Sequence, residues 1–147
     1  MAAIRTAEVT WNGSLIEGKG TIDDVTSGAF AGLPVSWASR TETADGRTSP
    51  EELVASAHAS CYAMAFSGGL GRNGTPPTKL AVTAAVTFDK TDDGWRVISS
   101  ALTVEGTVPG IDETTFVELA TAAKDGCPIS QAIKGNVELS VVPTLVG

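Results

Sequence analysis

At 147 residues and 15.0 kDa the chain is long enough to bury one proper core without disulfides or metals to support it. Hydrophobic content of 42% with 18% charged residues is that of a globular protein, and a formal charge of −7 with no two Lys or Arg adjacent argues against a nucleic-acid partner. No basic stretch leads into an apolar one at the N-terminus and no apolar run reaches membrane-spanning length, so the expectation is a cytoplasmic chain without signal or membrane span, whose two cysteines are not a structural bridge.

Arg5 to Trp11 alternates, with Ala7, Val9 and Trp11 on one face, and Asn12-Gly13 follows as a hairpin signal. The return strand is expected over Leu15 to Thr21, weakened or bulged at Gly18 and Gly20. After a loop around Thr26 to Leu33, Pro34 to Arg40 alternates again and predicts a third strand, with Arg40 on a face of small residues. Glu42 to Thr48, containing Asp45-Gly46, reads as a turn.

A long helix is expected from Ser49. Ser49 suits the N-cap, Pro50 the first helical position, and Glu52 closes a capping box. Leu53, Ala57, Cys61, Met64 and Ala65 fall on one ridge, and the many Ala and Ser residues suggest a helix covered on several sides, by a second subunit as well as by a sheet. Gly68, Gly69 and Gly71 are expected to end it.

Past the linker Gly74-Thr-Pro-Pro-Thr, Leu80 to Phe88 alternates strictly, Asp92-Asp93-Gly94 turns, and Trp95 to Val108 returns with a change of phase near Ser99-Ser100 that suggests a bulge. Asp112 caps a second helix with Phe116, Leu119, Ala120 and Ala123 as its stripe and Gly126 just past its end. Cys127 is then the N-cap of a short helix opened by Pro128 and closed by Gly135, and Val137, Leu139 and Val141 form a last strand. The class is α+β, with a largely antiparallel sheet and a long central helix in a single domain over residues 1–147.

Taken alone, each cysteine is by default an inert buried thiol. Cys127 at a helix start gains from unpaired N–H groups that favour a thiolate, whereas Cys61, inside its helix, needs a cation from elsewhere. Arg40 is the best such cation, and Glu51 or Glu52 could hold its planar fork; the plain alternatives are a solvated strand-end arginine and first-turn carboxylates complementing a helix dipole. His58, the only histidine, stands three before Cys61 and raises a Cys-His hydrolase or a metal site against the default of a packed side chain; one His and two Cys fall one ligand short of a closed zinc set. Trp11, Trp37, Trp95 and Phe88 match strand periodicity and read as core. Gly-Gly-Leu-Gly at 68–71 follows a helix instead of opening one, so no nucleotide cofactor is indicated.

Five stretches together resemble the OsmC/Ohr family of thiol-dependent peroxide-reducing proteins, the OsmC branch more closely. They are Trp-Asn-Gly with Gly-Lys-Gly-Thr at 18–21, Ser-Arg-Thr at 39–41, Ser-Pro-Glu-Glu-Leu-Val-Ala-Ser-Ala-His-Ala-Ser-Cys at 49–61, Val-Pro-Gly-Ile-Asp at 108–112 and Gly-Cys-Pro-Ile-Ser at 126–130. The resemblance implies an intertwined homodimer with the long helices at its centre, Cys61 as the peroxidatic thiol, Cys127 as the resolving one, and Arg40 oriented by Glu51. It implies a peroxidase cycle on hydrogen peroxide or organic hydroperoxides through a Cys61 sulfenic acid and a Cys61–Cys127 disulfide, re-reduced by an external dithiol such as a lipoyl protein, without metal or flavin. Two alternatives stay open: a small-ligand-binding protein with inert thiols, and the Cys-His hydrolase using Cys61 and His58.

Overall fold

Alternation near the N-terminus builds a small antiparallel sheet in the computed structural model, which describes residues 1–147. Strand β1 (Ala7–Asn12) pairs with β2 (Lys19–Val25), and β2 with β3 (Leu33–Val35). The return strand starts later than the predicted Leu15. Asn12 pairs with Lys19, so residues 13–18 form a wider connection, with Gly13 at φ +92° and the Gly18 N–H donating to the Ser14 carbonyl at 2.8 Å. Gly18 and Gly20 mark no bulge, since the register shift lies at Glu8/Val9. They make room for an indole: a Cβ on Gly20 would lie 2.7 Å from the Trp11 ring. Trp11 is 40% exposed on the single chain, and β1 is exposed along its length, so this face is not the core its alternation predicts.

The third predicted strand stops at Val35. Ser36 takes an extended conformation and caps a short helix, α1 (Trp37–Thr41): its Oγ accepts the Ser39 N–H while Ser39 Oγ accepts the Ser36 N–H, both at 3.0 Å. This reciprocal box satisfies amides that a strand would leave for a ladder. Arg40 therefore sits on a helix and not on the predicted strand face.

Helix α2 runs Pro50–Arg72, with the Glu52 N–H donating to Ser49 Oγ at 3.2 Å. The chain divides into two compact units, Met1–Leu53 and Val54–Gly147, and the boundary falls inside this helix. Gly68, Gly69 and Gly71 do not end it; they are helical, and the turn comes at Asn73-Gly74, where Gly74 has φ +83°. A glycine inside a helix costs only about 1 kcal/mol relative to alanine, which packing outweighs. The buried ridge also differs from the predicted one. His58, Tyr62, Phe66 and Leu70, at spacing four, have no exposed surface, whereas Met64 is 70% exposed and Cys61 half-buried.

In the second unit β4 (Lys79–Thr91) and β5 (Gly94–Thr107) form a long antiparallel hairpin closed by Asp92-Asp93. The predicted bulge is present: Thr87 pairs with Ser99 and Phe88 with Val97, leaving Ile98 as the extra residue. Trp95, read from sequence as core, is 45% exposed and stacks on Phe88 with ring centroids 5.0 Å apart. Strand β6 (Glu138–Leu145) joins β5 in parallel, reached through α3 (Glu113–Gly126) and α4 (Pro128–Ile133), so the sheets are antiparallel apart from this one pairing. Asp112 caps α3 by accepting the Thr115 N–H at 2.9 Å. Gly126 is the last helical residue and not the residue past the end; Cys127 is at once the C-cap of α3 and the N-cap of α4.

The α2 ridge packs with Leu102 and Val104 of β5 and Phe116 and Ala120 of α3, and the Phe66 and Phe116 rings meet at 5.2 Å. Burying each of the large apolar side chains contributes about 1.5–3 kcal/mol. No helix is long and apolar enough to cross a membrane. Packing in this core is close at Gly106 of β5, where a Cβ would come within 2.6 Å of the Phe116 ring. Gly106→Ala should accordingly lower the unfolding free energy by about 1–3 kcal/mol in chemical denaturation; an unchanged midpoint would contradict this packing.

Candidate active site

Within the first unit, the capping box of α1 presents Arg40 to the opening turn of α2. Arg40 Nε donates to Glu51 Oε1 and Oε2 at 3.0 and 3.2 Å, and its Nη2 donates to Oε1 at 2.8 Å. Both nitrogens on one edge of the fork are thus held, which fixes the guanidinium plane as a single contact could not. The cation also stands over the Trp37 ring at 5.9 Å from its centroid. The Glu51 side chain is nearly buried and that of Arg40 partly so. A cleft of about 390 Å³ opens beside Arg40, walled by Trp11, Leu15, Val35 and Trp37. Glu51, the first of the two first-turn glutamates, holds the arginine.

In the second unit, α2 and the α3–α4 junction bring together cysteines that are far apart in sequence. Both are free thiols, Cys127 fully buried in the core and Cys61 half-buried and packed against that core, near enough for each thiol to influence the other's ionisation. Burial pushes the Cys61 thiol up, and Cys127 pushes it further, against a smaller opposing pull from the Ile129 N–H. Cys127 moves the other way. Burial opposes its thiolate most strongly, but the Cys61 thiol, the N–H and hydroxyl of Ser130 and the Ile129 N–H together outweigh it and draw the thiol below its ordinary range. These are near dipoles, since the sulfur makes no formed cap hydrogen bond to the helix. The helix-start argument made from sequence for Cys127 therefore holds in direction.

His58 does not pair with Cys61. Its Nδ1 is 2.6 Å from Ser100 Oγ and its Nε2 2.8 Å from Ser130 Oγ, so both ring nitrogens are occupied, and burial pushes its pKa down toward a neutral imidazole. The Cys61–His58 dyad of a hydrolase is not formed. Ser100 and Ser130 are buried polar residues that sequence reasoning passed over: Ser130 was visible only as the end of Gly-Cys-Pro-Ile-Ser, and Ser100 only as part of a bulge. Tyr62 donates its hydroxyl to the Ala120 carbonyl at 3.0 Å and lies close enough to Cys127 for the two charges to oppose each other.

Comparison with known proteins was made by sequence and by fold. A sequence profile of the family described as OsmC-like protein matches residues 43–142. The chain is 40% identical over 139 residues to the "Peroxiredoxin OsmC" of Escherichia coli (strain K12), covering 95% of this chain and 96% of that one. It is 27% identical over 95 residues to the "Organic hydroperoxide resistance protein OhrB" of Bacillus subtilis (strain 168), covering 64% and 68% of the two chains. Its fold matches the crystal structure of Bacillus subtilis OhrB with a TM-score of 0.73 at 23% identity, over 95% of this chain and 98% of that one. A protein from Legionella pneumophila described as an organic hydroperoxide resistance protein OsmC matches with a TM-score of 0.71 at 22% identity, over 97% and 99%.

The electrostatics set an order for the two thiols. Cys127, in a Cys61→Ser chain, should form its thiolate at lower pH than Cys61 does in a Cys127→Ser chain, as read by ultraviolet thiolate absorbance against pH. As pH falls, Cys61 is protonated first; the opposite order would contradict the effect of the Ser130 dipoles, which act on Cys127 and not on Cys61.

Proposed function

This chain belongs to the OsmC-like protein family, and from that membership together with the buried thiol pair we propose that it is a thiol-dependent peroxidase. The observation that carries the reading is that Cys61 packs against the core that holds Cys127, with both thiols free and near enough to influence each other. Two reduced thiols held side by side in a core are poised to become a disulfide once one of them is oxidised.

The roles follow from access. Peroxide has to reach sulfur, and only Cys61 has exposed surface, so Cys61 is assigned the first attack although Cys127 is the stronger acid in this arrangement. Arg40, its fork fixed by Glu51, is the cation proposed to favour the Cys61 thiolate. The thiolate attacks the outer peroxide oxygen, the O–O bond breaks, an alcohol or water leaves with a proton, and Cys61 becomes a sulfenic acid. Cys127 then attacks the oxidised sulfur, water leaves, and the disulfide forms. An external dithiol, by family resemblance a lipoyl group on a protein, returns both thiols by exchange. The family resemblance also supports a homodimer covering the exposed side of α2, working in the cytoplasm.

A stoichiometric organic hydroperoxide should consume both thiols and give an intramolecular Cys61–Cys127 disulfide by mass spectrometry. Cys61→Ser should lose first-turnover peroxide consumption and Cys127→Ser should keep it while accumulating a sulfenic acid. The reverse pattern would exchange the two roles, and unchanged thiol counts would leave a binding protein with inert thiols. Glu51→Ala should cost peroxidase kcat/KM roughly tenfold or more against about 1 kcal/mol of stability; a loss confined to stability would reduce Glu51 to a helix-start carboxylate.

A further inference from the structure

The short helix that begins at Cys127 is tied to α2 by one buried polar pair. Along its whole length α4 makes two side-chain hydrogen bonds: Gln131 donates to the Asp125 carbonyl of neighbouring α3, and Ser130 Oγ lies 2.8 Å from His58 Nε2. The opposite edge of the same ring, Nδ1, lies 2.6 Å from Ser100 Oγ on β5. His58, Ser100 and Ser130 are buried to within 1% of complete. An imidazole in a core needs desolvation that a leucine would not, so its retention calls for a use, and the cycle above uses neither the ring nor the serines.

Where that bond falls gives the use. His58 stands three residues before Cys61 on α2, and Ser130 three residues after Cys127 in the first turn of α4. Each partner is thus within one helical turn of a cysteine, about 4.5 Å along the helix axis. Cys127 belongs to the turn that Ser130 anchors, since its carbonyl accepts the Gln131 N–H at 3.0 Å. A neutral imidazole offers one donor and one acceptor, and rotating serine hydroxyls can match either tautomer, so both bonds form without a buried charge. No buried side-chain nitrogen or oxygen in the chain lacks a partner, so removing the Ser130 hydroxyl would strand Nε2 and free α4 from α2 together.

We propose that His58 is a positioning residue for disulfide formation: by holding Ser130 it pins the first turn of α4 to α2, and so keeps Cys127 where Cys61 can reach it. This rests on the reading of Cys127 as the resolving thiol. In that step Cys127 gives up its thiol proton and its sulfur forms the S–S bond, while the S–O bond of the Cys61 sulfenic acid breaks. The hydroxide takes up a proton and leaves as water; Cys127 is oxidised and the Cys61 sulfur reduced. Cys61 already packs against the core that holds Cys127, so the peg has only to keep a six-residue helix from drifting off that core. Two groups fixed in position react as if highly concentrated, and that advantage falls as either gains freedom.

The test equilibrates the full chain with a dithiothreitol redox buffer and reads the Cys61–Cys127 disulfide by mass spectrometry, with no peroxide present. Ser130→Ala should lower the equilibrium constant for the disulfide roughly tenfold, the size of one buried hydrogen bond lost. Ser100→Ala, which breaks the bond to β5 and leaves α4 tied, should keep the constant near that of the unaltered chain. His58→Gln sets an amide near the place of Nε2 and should keep most of the constant, whereas His58→Asn sets one near the place of Nδ1 and should lose as much as Ser130→Ala. Both put a polar side chain in the same cavity, so a merely structural role would treat them alike, and they serve where His58→Ala does not fold. After one equivalent of organic hydroperoxide, Ser130→Ala should slow disulfide formation roughly tenfold and leave the rate of sulfenic acid formation unchanged. Equal effects of Ser130→Ala and Ser100→Ala, equal losses in His58→Gln and His58→Asn, or a constant that Ser130→Ala leaves alone or raises overturns the proposal. Thiols that form the disulfide in the buffer yet ignore peroxide would count against the peroxidase reading alone.

Discussion

The second unit depends on the burial of one ridge of α2. Side chains four apart stack along a helix, and here the stack is His58, Tyr62, Phe66 and Leu70, closed over by β5 and α3. That choice of face sets where the cysteine goes. Cys61, three residues after His58, is carried to the margin of the buried side, where it keeps some exposure and still packs against the core that holds Cys127. A face rotated to put Cys61 at the centre would seal the thiol from any soluble oxidant. The price is a buried imidazole, and two serines from β5 and α4 satisfy it.

Cys127 owes its character to a junction. Its own N–H still closes α3 by donating to Ala123, while its carbonyl accepts the Gln131 N–H and opens α4. Pro128 fits at the first position of α4 because the amide it lacks would have had no helical partner there. The next N–H groups, of Ile129 and Ser130, then approach the sulfur and help to favour its charged form despite full burial. The same dipoles that start a helix thus serve thiol chemistry.

Arg40 shows the same economy in the first unit. The Ser36–Ser39 box turns the chain out of β3 into a single helical turn and a half, and Glu51, whose place in the first turn of α2 already suits the helix dipole, accepts two guanidinium nitrogens. Trp37 stands beneath the cation and also lines the cleft beside it. An arginine held on one edge and one face keeps its charge in a fixed place.

The amino-acid sequence by itself determined the order and kind of most elements, the caps at Ser49 and Asp112, the bulge in β5, the family and the pairing of Arg40 with Glu51, because caps, turns and alternation act over a few residues and a family motif is a local string. It misplaced Arg40 on a strand, since Val35, Trp37 and their neighbours fit both periods until the two serines form their box. It stopped α2 at its glycines, which only long-range packing could override. Tertiary structure alone decided which ridge of α2 is buried, that His58 answers to two serines and not to Cys61, and that Cys61 comes near Cys127. Those outcomes turn on contacts between residues dozens of positions apart, and a helix built largely of alanine, serine and glycine has too small a difference between its faces to announce them.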